Sequence, residues 1–133
     1  MAQCTKEVEL IITTPNKVGM LAEVTSAIAD EGVNIAALCA YEMEGKAVFM
    51  LITDNSAKAK KAAETKGWKT EENDVVMVEV TDKIGAAKEV AARVEAKGIN
   101  LQCCYGTTCG SPKCSCKLIL RALDPEALIA ALS

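Results

Sequence analysis

The chain has 133 residues, of which 50% are hydrophobic and 3% aromatic, and its net charge is −3. This composition suits one compact unit, or two small modules that share an interface, with an aliphatic core, and the absence of a basic stripe argues against nucleic acid as a partner. The sequence has no run of about 18 apolar residues, and its N-terminal residues MAQCTKEVEL lack the apolar core of a signal peptide, so we expect a cytoplasmic protein without a membrane span.

The first half of the chain opens with a strand followed by a helix. A strand is predicted over Val8–Thr14, which is rich in β-branched and apolar residues. Apolar residues at helical spacing then run from Leu21 to Ile28. Asn16 is the expected N-cap of this helix, and Gly32 is the expected stop.

The rest of the first half supplies two strands, a helix and a weak final strand. A strand over Val33–Tyr41 precedes a turn at Glu44–Lys46 and a third strand over Ala47–Thr53. A helix over residues 56–66, capped by Asp54, and a polar strand over Trp68–Glu72 complete the set. The order β-α-β-β-α-β is that of the split βαβ, or ferredoxin-like, arrangement.

The second half of the chain repeats the first. Residues 82–101 (DKIGAAKEVAARVEAKGINL) match residues 16–35 (NKVGMLAEVTSAIADEGVNI) without a gap, at an offset of 66 (82 − 16). We therefore predict an α+β protein of two ferredoxin-like modules packed side by side, over residues 1–73 and 74–133. The predicted elements of the second module are strands at Asp74–Thr81, Ile99–Gly106 and Leu118–Leu120, with a repeat helix and a final helix opened by Asp124-Pro125.

Two differences separate the modules. Asp54 aligns with Asp124, at an offset of 70 (124 − 54), so four extra residues are predicted in the second hairpin. The second module also lacks a sequence for its fourth strand, which would leave one sheet edge uncovered. Because uncovered edges promote association, we expect the other module or a partner chain to cover it, as in a homodimer or higher homo-oligomer.

The loop before each repeat helix has the chemistry to bind an amino acid. The first amides of a helix are unpaired and favour an anion such as a carboxylate. Gly19 and Gly85 have no side chain to obstruct a ligand. Asn16 or Asp82 could accept hydrogen bonds from an ammonium group. The alternative is that Asn16 and Asp82 only cap their helices.

The segment PNKVGMLAEVTSAIADEGVNI resembles the signature of ACT domains, the ferredoxin-like regulatory modules of amino-acid-metabolism enzymes. The first copy matches at every usual position, and the second matches except that Ala87 replaces a leucine. The chain as a whole is thus similar to a free-standing tandem ACT protein without an attached enzyme.

The resemblance implies a non-enzymatic regulatory protein that binds a small amino acid at an interface between ACT modules. The implied ligand-binding residues are Asn16, Val18, Gly19, Met20, Leu21, Asp82, Ile84, Gly85 and Ala86. An alternative is a ligand-free regulatory or assembly subunit of a biosynthetic enzyme. No cofactor and no catalytic residue is expected, since the chain has no histidine to pair with a nucleophile.

Five of the seven cysteines fall between residues 103 and 116, at the hairpin with added residues. Three interpretations stay open. The cysteines are ordinary thiols, or Cys109, Cys114 and Cys116 bind a soft metal, or a Cys109–Cys114 disulfide gives the hairpin a redox role. The last two would make the protein a cysteine-based sensor on an ACT scaffold.

Overall fold

The structure is a computed structural model that describes residues 3–107, 110–111 and 113–133. Within these residues the chain forms six strands and four helices. Their bounds are β1 (Gln3–Pro15), α1 (Met20–Ala29), β2 (Ile35–Met43), β3 (Lys46–Thr53), α2 (Ser56–Thr65), β4 (Lys69–Thr81), α3 (Ala86–Ala96), β5 (Leu101–Thr107), β6 (Ser115–Ala122) and α4 (Pro125–Leu132). None of these helices is long and apolar enough to cross a membrane.

The first module comprises residues 8–73. Its strand order is β2-β3-β1-β4, and β3 pairs antiparallel with both β1 and β2. Alternate residues of β1, such as Leu10 and Ile12, are fully buried against Val24 and Ile28 of α1. The period of two in the strand and the apolar stripe of the helix thus build one core.

The second module comprises residues 74–133 together with residues 3–7. Its strand order is β1-β4-β6-β5, and its core is aliphatic, with Val78, Val94, Leu120 and Leu128 among the buried residues. Each module therefore has the ferredoxin-like order, and the predicted α+β class with two such modules is confirmed.

The fourth strand of the second module comes from the start of the chain. Residues 3–7 of β1 occupy the position beside β4 that the sequence left empty. Cys4 packs against the core of this module, and Lys6 Nζ lies 2.9 Å from Glu126 Oε1 and 3.8 Å from Asp74 Oδ2. The boundary predicted from the sequence differs here, because it assigned residues 1–7 to the first module.

The hairpin of the second module has three extra residues, so the predicted four is wrong. The pair Leu10 and Leu51 in the first module corresponds to Val76 and Leu120 in the second, which gives an offset of 69 in β6 (120 − 51). The N-caps of α2 and α4, Asn55 and Asp124, differ by the same 69 (124 − 55).

Asp54 is not the cap that the sequence suggested. The cap of α2 is Asn55, whose side chain accepts a hydrogen bond from the Lys58 amide. Asp54 Oδ1 instead accepts a hydrogen bond of 2.9 Å from the Asn34 amide, and the Asp54 amide donates to the Asn34 carbonyl. Asp54, which follows β3, is therefore hydrogen-bonded to Asn34, which precedes β2.

Candidate ligand-binding clefts

The first module has a cleft of about 310 Å³ between its first loop and its edge hairpin. The loop and the first turn of α1 contribute Asn16, Lys17, Gly19, Met20 and Leu21. Strands β2 and β3 contribute Ala40, Tyr41, Ala47 and Phe49. We call this space the first cleft.

The second module has the same cleft at the equivalent position, with a volume of about 480 Å³. Its loop and helix contribute Asp82, Lys83, Gly85, Ala86, Ala87 and Lys88. Strands β5 and β6 contribute Gly106, Thr107, Cys116 and Leu118. Every lining residue of the first cleft has its counterpart here, at an offset of 66 up to β5 and 69 in β6. We call this space the second cleft.

Each cleft contains the N-terminus of a helix that begins at a glycine. The N-cap of α1 is Gly19, with φ of 91°, and the N-cap of α3 is Gly85, with φ of 89°. This left-handed conformation favours glycine. Neither helix has a side-chain cap, so the predicted capping role of Asn16 and Asp82 is wrong. Asn16 and Asp82 lie three positions before these caps, and each lines its cleft.

The first turn of each helix presents backbone donors. In α1, the Met20 amide donates to Lys17 O at 3.3 Å and the Glu23 amide donates to Gly19 O at 3.0 Å. Within the described residues, the amides between them, those of Leu21 and Ala22, have no hydrogen-bond partner.

The first turn of α3 repeats this pattern. The Ala86 amide donates to Lys83 O at 3.1 Å and the Glu89 amide to Gly85 O at 3.0 Å. The amides of Ala87 and Lys88 have no partner in the described part of the chain. Each helix therefore presents two adjacent N–H groups at the positive end of its dipole, an arrangement that suits a carboxylate. Leu21 lines the first cleft and Ala22 is the next residue of α1, whereas Ala87 and Lys88 both line the second cleft.

An ion pair recurs beside both clefts. Lys17 Nζ lies 3.8 Å from Glu23 Oε2, and Lys83 Nζ lies 3.5 Å from Glu89 Oε1. All four side chains are largely exposed, so these pairs contribute little to stability.

Seven of the nine residues predicted from the sequence line a cleft. The exceptions are Val18 and Ile84, whose side chains are 102% and 104% exposed and line neither cleft. Lys17 and Lys83 were missed, although their recurrence was a signal. The strand residues were also missed, because the sequence does not show which positions of β2 and β5 lie opposite the loop.

One cysteine of the cluster lines a cleft. Cys116 is a free, partly exposed thiol of the second cleft, in the position of Ala47 in the first. Cys114 is disulfide-bonded, while Cys109 lies outside the described residues. Burial raises the pKa of the Cys104 thiol, which lowers its thiolate fraction and its reactivity. In the described part of the chain, no group of three cysteines or acidic residues could hold a metal ion.

Residues 8–65 match the family model for the ACT domain. This part of the chain is thus similar to an ACT domain. It contains the first cleft, and its β1–α1 segment is the one that resembled the ACT signature in the sequence.

Solved structures share the fold over almost the entire chain. Protein BT0572 from Bacteroides thetaiotaomicron is 26% identical, with a TM-score of 0.86 over 97% of this chain and 88% of that one. The regulatory subunit of aspartate kinase from Thermus thermophilus is 18% identical, with a TM-score of 0.71 over 98% and 93%. The corresponding subunit from Thermus flavus is 19% identical, with a TM-score of 0.66 over 98% and 94%. No curated protein matches the chain.

Proposed function

We propose that the chain is a non-enzymatic, cytoplasmic regulatory protein of two ACT modules that binds a small amino acid at its clefts. The observation that carries this proposal is that both modules place a helix N-terminus, with a glycine cap and two unpaired amides, at the same position beside a cleft. Such amides favour an anionic group, and the glycine leaves the backbone accessible to it.

The proposed pose follows from the donors and acceptors in the first cleft. The ligand carboxylate accepts hydrogen bonds from the amides of Leu21 and Ala22, at the positive end of α1. The ligand ammonium donates to the side-chain oxygen of Asn16, and the ligand side chain lies toward Tyr41 and Phe49. In the second cleft, the carboxylate is bound by the amides of Ala87 and Lys88, and the ammonium by the side chain of Asp82.

Regulation would follow from differential affinity. Both clefts are open on one side, so a module of a second copy can cover a bound ligand and contact it. A ligand that binds this covered state more tightly shifts the chain toward it, and assembly and binding are then linked.

Calorimetry of the full chain with each of the twenty amino acids tests the proposal. We expect at least one of them to bind, and Leu21→Pro to weaken its binding at least tenfold, because proline removes an amide that bonds the carboxylate. A first-turn position tolerates proline, and Leu21→Ala is the matched control that keeps the amide. Ala87→Pro and Ala87→Ser form the same pair in the second cleft.

Two outcomes would contradict the proposal. One is the absence of binding by all twenty amino acids at millimolar concentration. The other is equal weakening by the proline variant and its control, since the amide would then contribute nothing.

A second function is favoured by the fold shared with regulatory subunits of aspartate kinase. In this alternative the chain is a ligand-free regulatory or assembly subunit of an amino-acid-metabolism enzyme. Affinity capture from the native host that retains such an enzyme without added amino acid would favour the subunit role over sensing.

A further inference from the structure

We propose that the two clefts select ligands of different size, with a small amino acid in the first and a bulky one in the second. This inference rests on the proposed amino-acid binding and specifies its ligand class at each cleft. It comes from a position-by-position comparison of the two linings.

The floor of the first cleft is filled by large side chains. Met20 and Phe49 are 4% and 3% exposed and lie beneath the loop. Their counterparts in the second cleft are Ala86, which is 6% exposed, and Leu118. Both replacements shorten the side chain, so the floor of the second cleft lies deeper.

The side chains at the mouth of the second cleft are also smaller than those of the first. Leu21 and Tyr41 narrow the first cleft, and both side chains are about half exposed at its mouth, at 52% and 41%. The second cleft has Ala87 and Thr107 in these positions. Only one lining position reverses the trend, where Cys116 replaces Ala47.

A glycine of β5 also leaves space for a side chain that lines the second cleft. Gly106 replaces Ala40, and a Cβ on Gly106 would come within 2.3 Å of Leu118 Cδ2. The Leu118 side chain therefore lies against the Gly106 backbone, where a methyl group would otherwise stand. The cleft volumes, about 310 Å³ and about 480 Å³, agree with these substitutions.

The inference is tested by substitutions that give each cleft the rim residue of the other. The full chain and its Thr107→Tyr and Tyr41→Thr variants are titrated with all twenty amino acids by calorimetry, and their folding is checked by circular dichroism. We expect Thr107→Tyr to weaken the bulky binders, such as phenylalanine or methionine, at least tenfold while small binders keep their affinity. Tyr41→Thr should add a second binding site for the bulky amino acids.

The inference is overturned if Thr107→Tyr affects small and bulky binders equally, or affects neither. If that variant fails to fold, Leu118→Phe narrows the same cleft from its floor and must give the same selectivity. If no amino acid binds to the wild-type chain, both the proposed function and this inference are wrong. If amino acids bind but small and bulky ones do not prefer different clefts, only this inference is wrong.

Discussion

At the scale of single residues, two glycines show how different physical causes select the same amino acid. Gly19 has open space around its missing Cβ, but its φ of 91° disfavours any L side chain. Gly106 has an ordinary φ but no space, since a Cβ would lie 2.6 Å from the Lys117 carbonyl oxygen. The repeat in the sequence identified Gly19, whereas Gly106 has no counterpart glycine and was not predicted.

Gly106→Ala should destabilise the second module by about 1–3 kcal/mol, the usual cost of overpacking. The obstructing Lys117 oxygen belongs to the backbone of the paired strand, so relief requires β5 and β6 to move apart. Urea denaturation measures the change in the free energy of unfolding. Thr107→Ala, at the exposed neighbouring residue, is the control and should stay within about 0.5 kcal/mol. An unchanged urea midpoint for Gly106→Ala would show that β5 and β6 can move apart without loss of stability.

At the scale of elements, the sequence predicted the helices and strands that local patterns encode, and it missed a strand pairing between residues far apart in the chain. Periodicity located four helices and most strands. Of the predicted N-caps only Asp124 is one, and it opens α4 where its Oδ1 accepts hydrogen bonds from the Glu126 and Ala127 amides. The fourth strand of the second module was missed because its residues, 3–7, precede that module by about a whole module length. Pairing across such a separation leaves no local pattern, and the strand predicted from the sequence began only at Val8, whereas β1 begins at Gln3.

Deletion of residues 1–7 should destabilise the second module and promote association, because it uncovers the edge of β4 and removes Cys4 from the core. Each kcal/mol lost should lower the Tm by about 4–8 °C in a unit of this size. Differential scanning calorimetry and size-exclusion chromatography measure both effects. Lys6→Ala is the control, since it removes only two exposed ion pairs, to Asp74 and Glu126, and should change the Tm little. If the deletion changes the Tm and the association no more than this control does, the strand is dispensable.

At the scale of the whole molecule, most large apolar side chains are buried, yet each module has one at the tip of its first loop. Val18 and Ile84 are the residues from the predicted site that line no cleft, and both are fully exposed. The sequence correctly indicated their recurrence but could not show that they point away from their own cleft. In the proposed assembly, these tips are the natural contacts for a neighbouring copy.

The double substitution Val18→Glu and Ile84→Glu should leave the free energy of unfolding within about 0.5 kcal/mol of wild type, because neither side chain is packed. It should nevertheless reduce self-association, since a charge replaces an apolar contact at each tip. Light scattering across a concentration series measures the effect, and Val18→Leu with Ile84→Leu is the apolar control. An unchanged mass for the charged variant would remove these tips from the assembly surface.

The shared first strand has a consequence for how the chain is made. Residues 3–7 leave the ribosome before the strand they pair with and the core they complete, which are synthesised more than sixty residues later. Burial raises the pKa of the Cys4 thiol and the Ser133 side chain partly offsets this rise, so residues 4 and 133 are neighbours. A circular permutant that starts at Val8 and carries residues 3–7 behind Ser133 would encode each module as one continuous stretch, free of that wait during translation.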